Sequence, residues 1–239
     1  LLEDIHWADD ASLTLVQELF RYLTVASQRA RLFSFGLARP AFFERRPHWG
    51  EGLSGFSRMS LKPLSPRAGR ALVDEILQRV ERIPDDLRDV IVESTEGNPF
   101  YLEETIKMLI DEGVILRGEE RWQITRERLI TVHIPPTLTG LLQARLDALP
   151  PAERKLLQQA AVVGRLFWDT TVAAISDAER TVISPSLKTI RERELIYLRE
   201  HSAFSGSEEY IFKHALLRDV TYETVLLKMR RAYHARVAQ

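Results

Sequence analysis

Residues 1–12 read LLEDIHWADDAS, and the interpretation of the whole chain starts from this stretch. Two leucines run directly into adjacent carboxylates, Glu3 and Asp4. Such a pair is typical of the carboxyl end of a buried parallel strand, where acids are costly unless they serve a cation or a catalytic step. Open α/β sheets bind their ligands at that end of the strands. On spacing alone, an acidic loop with Asp9 or Asp10 at a helix terminus explains the stretch equally well.

The first 40 residues predict one strand–helix–strand unit of a parallel sheet, with a strand at residues 1–5. Ser12 is the predicted N-cap of a helix whose apolar residues recur at helical spacing. The apolar run RLFSFGL at residues 31–37 suits a buried parallel strand. Residues 41–60 contain Pro47 and several glycines, so the sequence predicts a loop there.

After residue 60 the pattern becomes helical. Ser65 and Pro66 have the residue types of an N-cap and a first helical residue, and Asn98 and Pro99 repeat this arrangement. Gly113 is a stop signal for the helix that Asn98 begins. Alternating apolar residues predict two strand pairs further on: residues 114–116 with 122–124, and 195–199 with 209–213.

The last hundred residues have the element order of a winged-helix module. Helices predicted near residues 151–164, 169–176 and 185–194 precede the second strand pair, and a closing helix follows it. The predicted fold is therefore mostly α with a small parallel-sheet remnant. Three domains are predicted: residues 1–60, 61–134 and 135–239.

Composition limits the kinds of function. The 239 residues are 45% hydrophobic and carry a formal net charge of −1, so no global attraction to nucleic acid or anionic lipid is expected. The chain has no cysteine, which excludes disulfides and thiolate metal sites. No apolar run reaches the roughly 18 residues that a membrane span needs. These features predict a cytoplasmic protein without a membrane partner.

The opening stretch, extended to LLEDIHWADDASLTLV, resembles the Walker B segment of STAND-class P-loop ATPases. These are AAA-like signal-transducing ATPases with numerous domains, joined in bacteria to nucleotide cyclases or LuxR-type regulators. The resemblance continues in order through FSFGLARP, STEGNPFYLEETIKMLIDEGVI and EEYIFKHALLRDVTYETV, and it extends over nearly the whole chain. It implies the end of a P-loop nucleotide-binding domain, then a helical subdomain, then a winged helix.

The resemblance also assigns roles to residues near the start of the chain. Glu3 and Asp4 would be the Walker B acids, which hold Mg²⁺, often through water, and orient the attacking water. Arg39, in FSFGLARP, would be a sensor arginine near the γ-phosphate. These three residues are the predicted catalytic groups, and the acid pair is the predicted metal site.

Two later residues are predicted to bind ATP or ADP. Pro99, in the G-x-P element, would pack close to the adenine. His214 aligns with the histidine of an M-H-D motif, which in relatives reaches the β-phosphate of ADP in a closed state. Ala215 stands where that motif has its aspartate, so the motif is only partly present. A lone histidine at the start of an amphipathic helix is more often structural, and both roles remain open at this point.

The resemblance predicts a slow ATPase that acts as a signalling switch, with ATP, ADP and Mg²⁺ as ligands and with effector domains of the full-length protein as partners. The phosphate-binding pattern G-x-x-x-x-G-K-[ST] does not occur in these 239 residues, and family order puts it before Leu1. This chain alone is therefore predicted to bind ATP weakly and to hydrolyse it negligibly. Tight, Mg²⁺-dependent binding of ATP to the chain, measured by calorimetry, would contradict this.

Two other functions remain as alternatives. The first is a DNA-binding winged-helix regulator, but its candidate recognition helix interleaves Lys188, Arg191 and Arg193 with glutamates, so nucleic acid is not favoured. The second is a non-catalytic interaction scaffold. An intact phosphate loop in the longer protein would favour the switch, and a degenerate one would favour the scaffold.

Overall fold

A computed structural model of the chain describes residues 1–26, 33–129 and 131–238, and most of them are helical. The chain divides into two compact units, Leu1–Lys62 and Pro63–Gln239. Among the described residues, no helix is long and apolar enough to cross a membrane.

The first unit contains a 3₁₀ turn and two helices: Ile5–Trp7, α1 (Asp10–Ala26) and α2 (Ala41–Arg45). Its start pairs in parallel with residues 35–37, because the Leu2 N–H donates to the Phe35 carbonyl at 2.8 Å and the Leu37 N–H donates to the Leu2 carbonyl at 2.8 Å. This pairing is one isolated bridge, Leu2 with Gly36.

Three predictions for this unit are wrong in detail. The strand predicted at residues 1–5 is cut short, because Asp4 adopts a left-handed conformation at φ 54° and the 3₁₀ turn follows. The N-cap of α1 is Asp9 and not Ser12, since the Asp9 carboxylate accepts from the Ser12 N–H at 2.8 Å. Residues 41–60 are not all loop, because α2 forms there and buries Phe42.

The strand predicted at 31–37 lies only partly within the described residues. Its first two positions, 31 and 32, are outside them. Residues 33–37 are described, and their strand-type pairing is limited to the bridge at Gly36.

The second unit contains ten helices and five short strands within the described residues. The helices are α3 (Pro66–Ile76), α4 (Asp85–Ser94), α5 (Pro99–Asp111), α6 (Arg126–Leu129), α7 (Leu138–Asp147), α8 (Pro151–Val163), α9 (Asp169–Ser176), α10 (Arg180–Glu192), α11 (Ala215–Glu223) and α12 (Leu227–Val237). The strands are β1 (Ile115–Leu116), β2 (Gln123–Ile124), β3 (Leu166–Trp168), β4 (Ile196–Leu198) and β5 (Glu209–Phe212).

The two predicted N-caps of this unit, Ser65 and Asn98, are confirmed, whereas the helix predicted near residues 185–194 begins earlier, at Arg180. The Ser65 hydroxyl accepts from the Ala68 N–H at 3.2 Å at the start of α3. The Asn98 side chain accepts from the N–H groups of Phe100 and Tyr101, at 3.0 and 3.2 Å, at the start of α5. Each of these caps satisfies a backbone donor that has no partner within its helix.

Both predicted strand pairs are present and antiparallel, β1 with β2 and β4 with β5. The second pair also gains a third strand that the sequence did not predict. β3 pairs with β5, so the sheet has the order β3-β5-β4. The predicted closing helix is likewise two helices, α11 and α12.

Two large hydrophobic clusters fill most of the second unit, beside a small third cluster of Val162, Ile175, Val225 and Tyr233. The first lies among α3, α4, α5 and the β1–β2 hairpin, and the second lies among α7 to α11 and the three-stranded sheet. They meet at α7, where Leu141 belongs to the first cluster and its neighbour Leu142 to the second. Both side chains are fully buried, so α7 is anchored in both clusters.

Candidate functional site

The first unit carries the predicted acid pair and the predicted sensor arginine. Glu3 and Asp4 follow Leu2, and Arg39 follows Leu37 by two residues. Because the two segments pair in parallel, the acids and Arg39 follow the carboxyl ends of both segments, at the same edge of the pairing. The structure leaves all three residues exposed.

Asp4 has an unusual backbone. Its φ and ψ of 54° and 35° lie in the left-handed region, which residues other than glycine seldom adopt. The neighbouring His6 side chain is nearly buried, and its Nδ1 lies 4.0 Å from Asp4 Oδ1, too far for a hydrogen bond. Neither ring nitrogen of His6 has a hydrogen-bond partner among the described residues.

Metal-binding clusters of three or more His, Asp or Glu side chains are absent from the part of the chain that the structure describes. A cation held here would therefore have the two carboxylates of Glu3 and Asp4 as protein ligands and would need oxygens from elsewhere, such as water or phosphate.

In the second unit, the segments of the two predicted nucleotide-binding residues meet. Pro99 is exposed at the first position of α5, and His214 is half-buried directly before α11. Phe100, which follows Pro99, packs on the His214 ring with the ring centroids 3.8 Å apart and the planes at 44°. The two helix starts are therefore adjacent in space.

One ring nitrogen of His214, the buried Nε2, has no hydrogen-bond partner among the described residues. The His214 side chain does not cap α11. Burial lowers the pKa of His214, although the carboxylates of Glu104 and Glu103 act in the opposite direction. The imidazole is thus held in its neutral form, in which Nε2 either donates or accepts one hydrogen bond.

A group of ion pairs lies beside His214, and the sequence interpretation missed it. Glu103 Oε1 accepts from Lys107 Nζ at 2.7 Å and from Lys213 Nζ at 2.5 Å. The sequence predicts Glu103 and Glu104 only as acids near the positive end of a helix. The spacing of Glu103, Glu104 and Lys107 within α5 indicates ion pairs on one face of the helix. Lys213 is far away in sequence, and nothing in the sequence indicates that it lies beside them.

Gly97, in the EGNP motif, has a structural role. Its φ is +74°, and a Cβ at this position would collide with the Leu64 backbone. The Leu64 N–H also donates to the Gly97 carbonyl at 2.8 Å. A cleft of about 380 Å³ lies at this contact, lined by Leu64, Pro66, Arg70, Asp89, Val92, Glu93, Glu96 and Gly97. The glycine of the motif is therefore required by backbone packing, with or without a ligand.

No protein-family model matches the chain. An uncharacterised protein of Rhizobium meliloti is 25% identical to it over 245 residues, which covers 99% of this chain and 21% of that relative. The chain thus spans about a fifth of the length of the relative that it matches. The name of the relative states no activity.

Proposed function

We propose that this chain is part of a STAND-class signalling switch in which bound ATP or ADP controls how a C-terminal winged helix docks. The observation that carries the proposal is the contact between Phe100 and His214. It brings together the two helix starts to which the family resemblance assigns nucleotide contacts.

The unpartnered nitrogen of His214 supports a ligand at this position. A buried polar atom without a hydrogen bond costs roughly 1–3 kcal/mol, which a ligand oxygen recovers when it accepts from the imidazole N–H. A phosphate oxygen is such an acceptor. The exposed edge with Glu3, Asp4 and Arg39 would serve Mg²⁺ and the γ-phosphate in the first unit, and this part of the proposal rests on the resemblance alone.

The element order of the second unit supports a winged helix. Three helices, α8, α9 and α10, are interleaved with an antiparallel sheet of order β3-β5-β4, and the β4–β5 connection would be the wing. The third strand adds to the two that the sequence predicted.

The DNA-binding alternative has less support, because acidic side chains lie beside basic residues of the winged-helix candidate. Arg180 donates to Asp169 at 2.7 Å, and Lys188 lies 3.9 Å from Glu192. The β4–β5 loop, residues 199–208, has one basic residue, Arg199, and this residue pairs with Glu209. DNA binding depends on several phosphate contacts from such residues.

The proposal predicts weak binding of ADP to this chain, with the nucleotide next to His214. In an NMR titration with Mg²⁺ and ADP, the amides of Phe100 and His214 should shift, with a dissociation constant in the millimolar range because the phosphate loop is not in this chain. His214→Ala should remove these shifts.

His201→Ala, which changes an exposed histidine in the β4–β5 loop, is the matched control and should leave the shifts intact. Shifts that survive His214→Ala, or a titration without shifts at either residue, would contradict the proposed site.

A further inference from the structure

One face of α5 carries nearly all the polar contacts between this helix and the elements that follow it. Its members recur at helical spacing, and we call them the α5 stripe: Phe100, Glu103, Glu104, Lys107 and Asp111. Each member contacts a residue from α7 or beyond. The contacts are Phe100 with His214, Glu103 with Lys213, Glu104 and Asp111 with Arg145, and Lys107 with Glu194.

The stripe has a buried part around Arg145. The Arg145 and Glu104 side chains are each 2% exposed and form an ion pair. Arg145 also donates to Asp111 at 3.1 Å and to the Arg193 carbonyl at 3.0 Å. Removing one partner of such a buried pair leaves an uncompensated charge, so this part of the stripe resists opening.

The stripe also has a rim that reaches solvent. Glu103 and Glu194 are 38% and 37% exposed, and Lys107 Nζ lies 2.7 Å from a carboxylate oxygen of each. Lys213 Nζ lies 2.5 Å from Glu103 and 3.6 Å from Glu194. The Lys107 and Lys213 side chains are only 9% and 7% exposed, but water can reach the two carboxylates when these contacts break, so the rim opens at a lower cost than the buried pair.

Two further features mark the rim as a constrained site. Glu194 has a φ of 56°, a conformation that the surrounding contacts must hold in a residue other than glycine. Burial alone would lower the pKa of Lys107, but the hydrogen bonds from its ammonium to Glu103 and Glu194, together with the negative charges of Glu104 and Glu103, outweigh burial and raise the pKa. Lys107 is therefore charged and depends on both carboxylates.

We propose that the rim pairs of the α5 stripe, Glu103 with Lys213 and Lys107 with Glu194, form a reversible latch. When the latch opens, the segment at Lys213 and His214 moves away from α5 and His214 leaves Phe100, while β4, β5 and α11 keep their packing with α7 in the second cluster. Arg145 and α7 stay in place as the pivot, because α7 is anchored in both hydrophobic clusters.

The latch is a property of this chain alone, whereas its control by nucleotide rests on the proposed function. Lys213 immediately precedes His214. An anionic group bound at His214 would compete with Glu103 for the Lys213 ammonium, and binding would thereby change the stability of the latch.

Amide hydrogen exchange of the nucleotide-free chain tests the latch. Glu103→Gln and Lys213→Met should each accelerate exchange at the end of β5 and in the first turn of α11 by about tenfold, while α3 and α4 stay unchanged. The double variant should accelerate exchange by less than the two single effects combined, because both single changes already remove the Glu103–Lys213 contact. The matched control is the exposed pair Lys188 and Glu192 on α10, whose neutralisation should have no effect on β5 or α11.

Added salt provides a test on the unmodified chain. Because the rim is partly exposed, high salt should screen its pairs and accelerate exchange in the same amides. Three results would each overturn the latch. They are unchanged exchange in β5 and α11 in the single variants, additive effects in the double variant, and uniform acceleration of exchange through the second unit. So would insensitivity of these amides to salt. All these measurements are made without nucleotide, so their outcome is independent of the ADP titration.

Discussion

Glu209, at the start of β5, is a buried carboxylate that holds the β4–β5 loop in place. It is 2% exposed and accepts from the Ala203 N–H at 2.8 Å, from Arg199 Nη1 at 2.5 Å and from Trp168 Nε1 at 3.1 Å. The hydrogen bond from Ala203, followed by those from Arg199 and Trp168, stabilises the ionised form and lowers the pKa of Glu209. One side chain of β5 therefore joins the loop to β3.

The lowered pKa of Glu209 predicts a pH dependence of stability. The ionised carboxylate stabilises the folded state above the usual pKa, and this contribution is lost as the pH falls through the lower, folded-state pKa. Glu209→Gln should reduce the melting temperature at neutral pH by a few degrees. The difference from the wild type should shrink as the pH falls from about 5 to about 3. Thermal melts followed by circular dichroism measure both effects.

Glu200→Gln, at an exposed position of the same loop, is the control and should leave the melting temperature unchanged. Melting curves of Glu209→Gln and wild type that differ by the same amount at every pH would contradict this account of Glu209.

At the residue scale, the sequence could identify candidate groups but not their surroundings. His214 could be selected from KHALLRDV, yet Phe100 and Glu103 are brought beside it by folding. The choice between Asp9 and Ser12 as the N-cap of α1 was also open, because both side chains suit that role. In the structure, α1 begins at Asp10, shortly after the 3₁₀ turn Ile5–Trp7, and Asp9 is therefore the N-cap.

At the scale of elements, arginines from elsewhere in the chain bind the carboxyl ends of several helices. The guanidinium groups donate to backbone carbonyls at or near the ends of α5, α8, α9 and α10: Arg128 to Glu112, Arg218 to Ala161, Arg236 to Ile175 and Arg145 to Arg193. The last carbonyls of a helix lack partners within it and carry partial negative charge. These arginines therefore connect distant elements, and they are engaged within the protein.

The Asn98 cap predicts a cost in the stability of α5. Asn98→Ala removes the acceptor for the Phe100 and Tyr101 N–H groups and should destabilise the second unit by about 1 kcal/mol. Asn98→Asp retains an acceptor and should stay close to the wild type. Urea unfolding of the three proteins measures the differences, and equal midpoints for Ala and wild type would contradict the role of the cap.

Elements with local signals were predicted well, whereas elements that depend on distant partners were not. α5 has a cap, a proline and a terminating glycine in its own sequence, and its prediction is confirmed. β3 is only three residues long, and it becomes a strand because it pairs with β5, far along the chain.

At the scale of the whole molecule, the two units differ in how much apolar surface they bury. In the described part of Leu1–Lys62, the buried hydrophobic side chains are Leu13 and Phe42. Large apolar side chains of that unit are exposed, including Trp7 at 78% and Phe33 at 87%. The second unit contains both large hydrophobic clusters. Its division into a helical subdomain and a winged helix remains a prediction, because α7 contributes to both clusters.

This difference predicts that residues 63–239 fold without the rest of the chain. Burial of apolar surface stabilises a fold by about 25 cal/mol per Å², and nearly all such burial lies in this unit. The separate fragment should melt cooperatively within a few degrees of the whole chain, and its amide NMR signals should overlay those of the same residues in the whole chain. Residues 1–62 alone should show no cooperative transition, because the two buried apolar side chains in the described part of that segment cannot offset its conformational entropy. A fragment 63–239 that melts without cooperativity, or whose signals differ throughout α3 to α5, would show that the second unit requires the first for its fold.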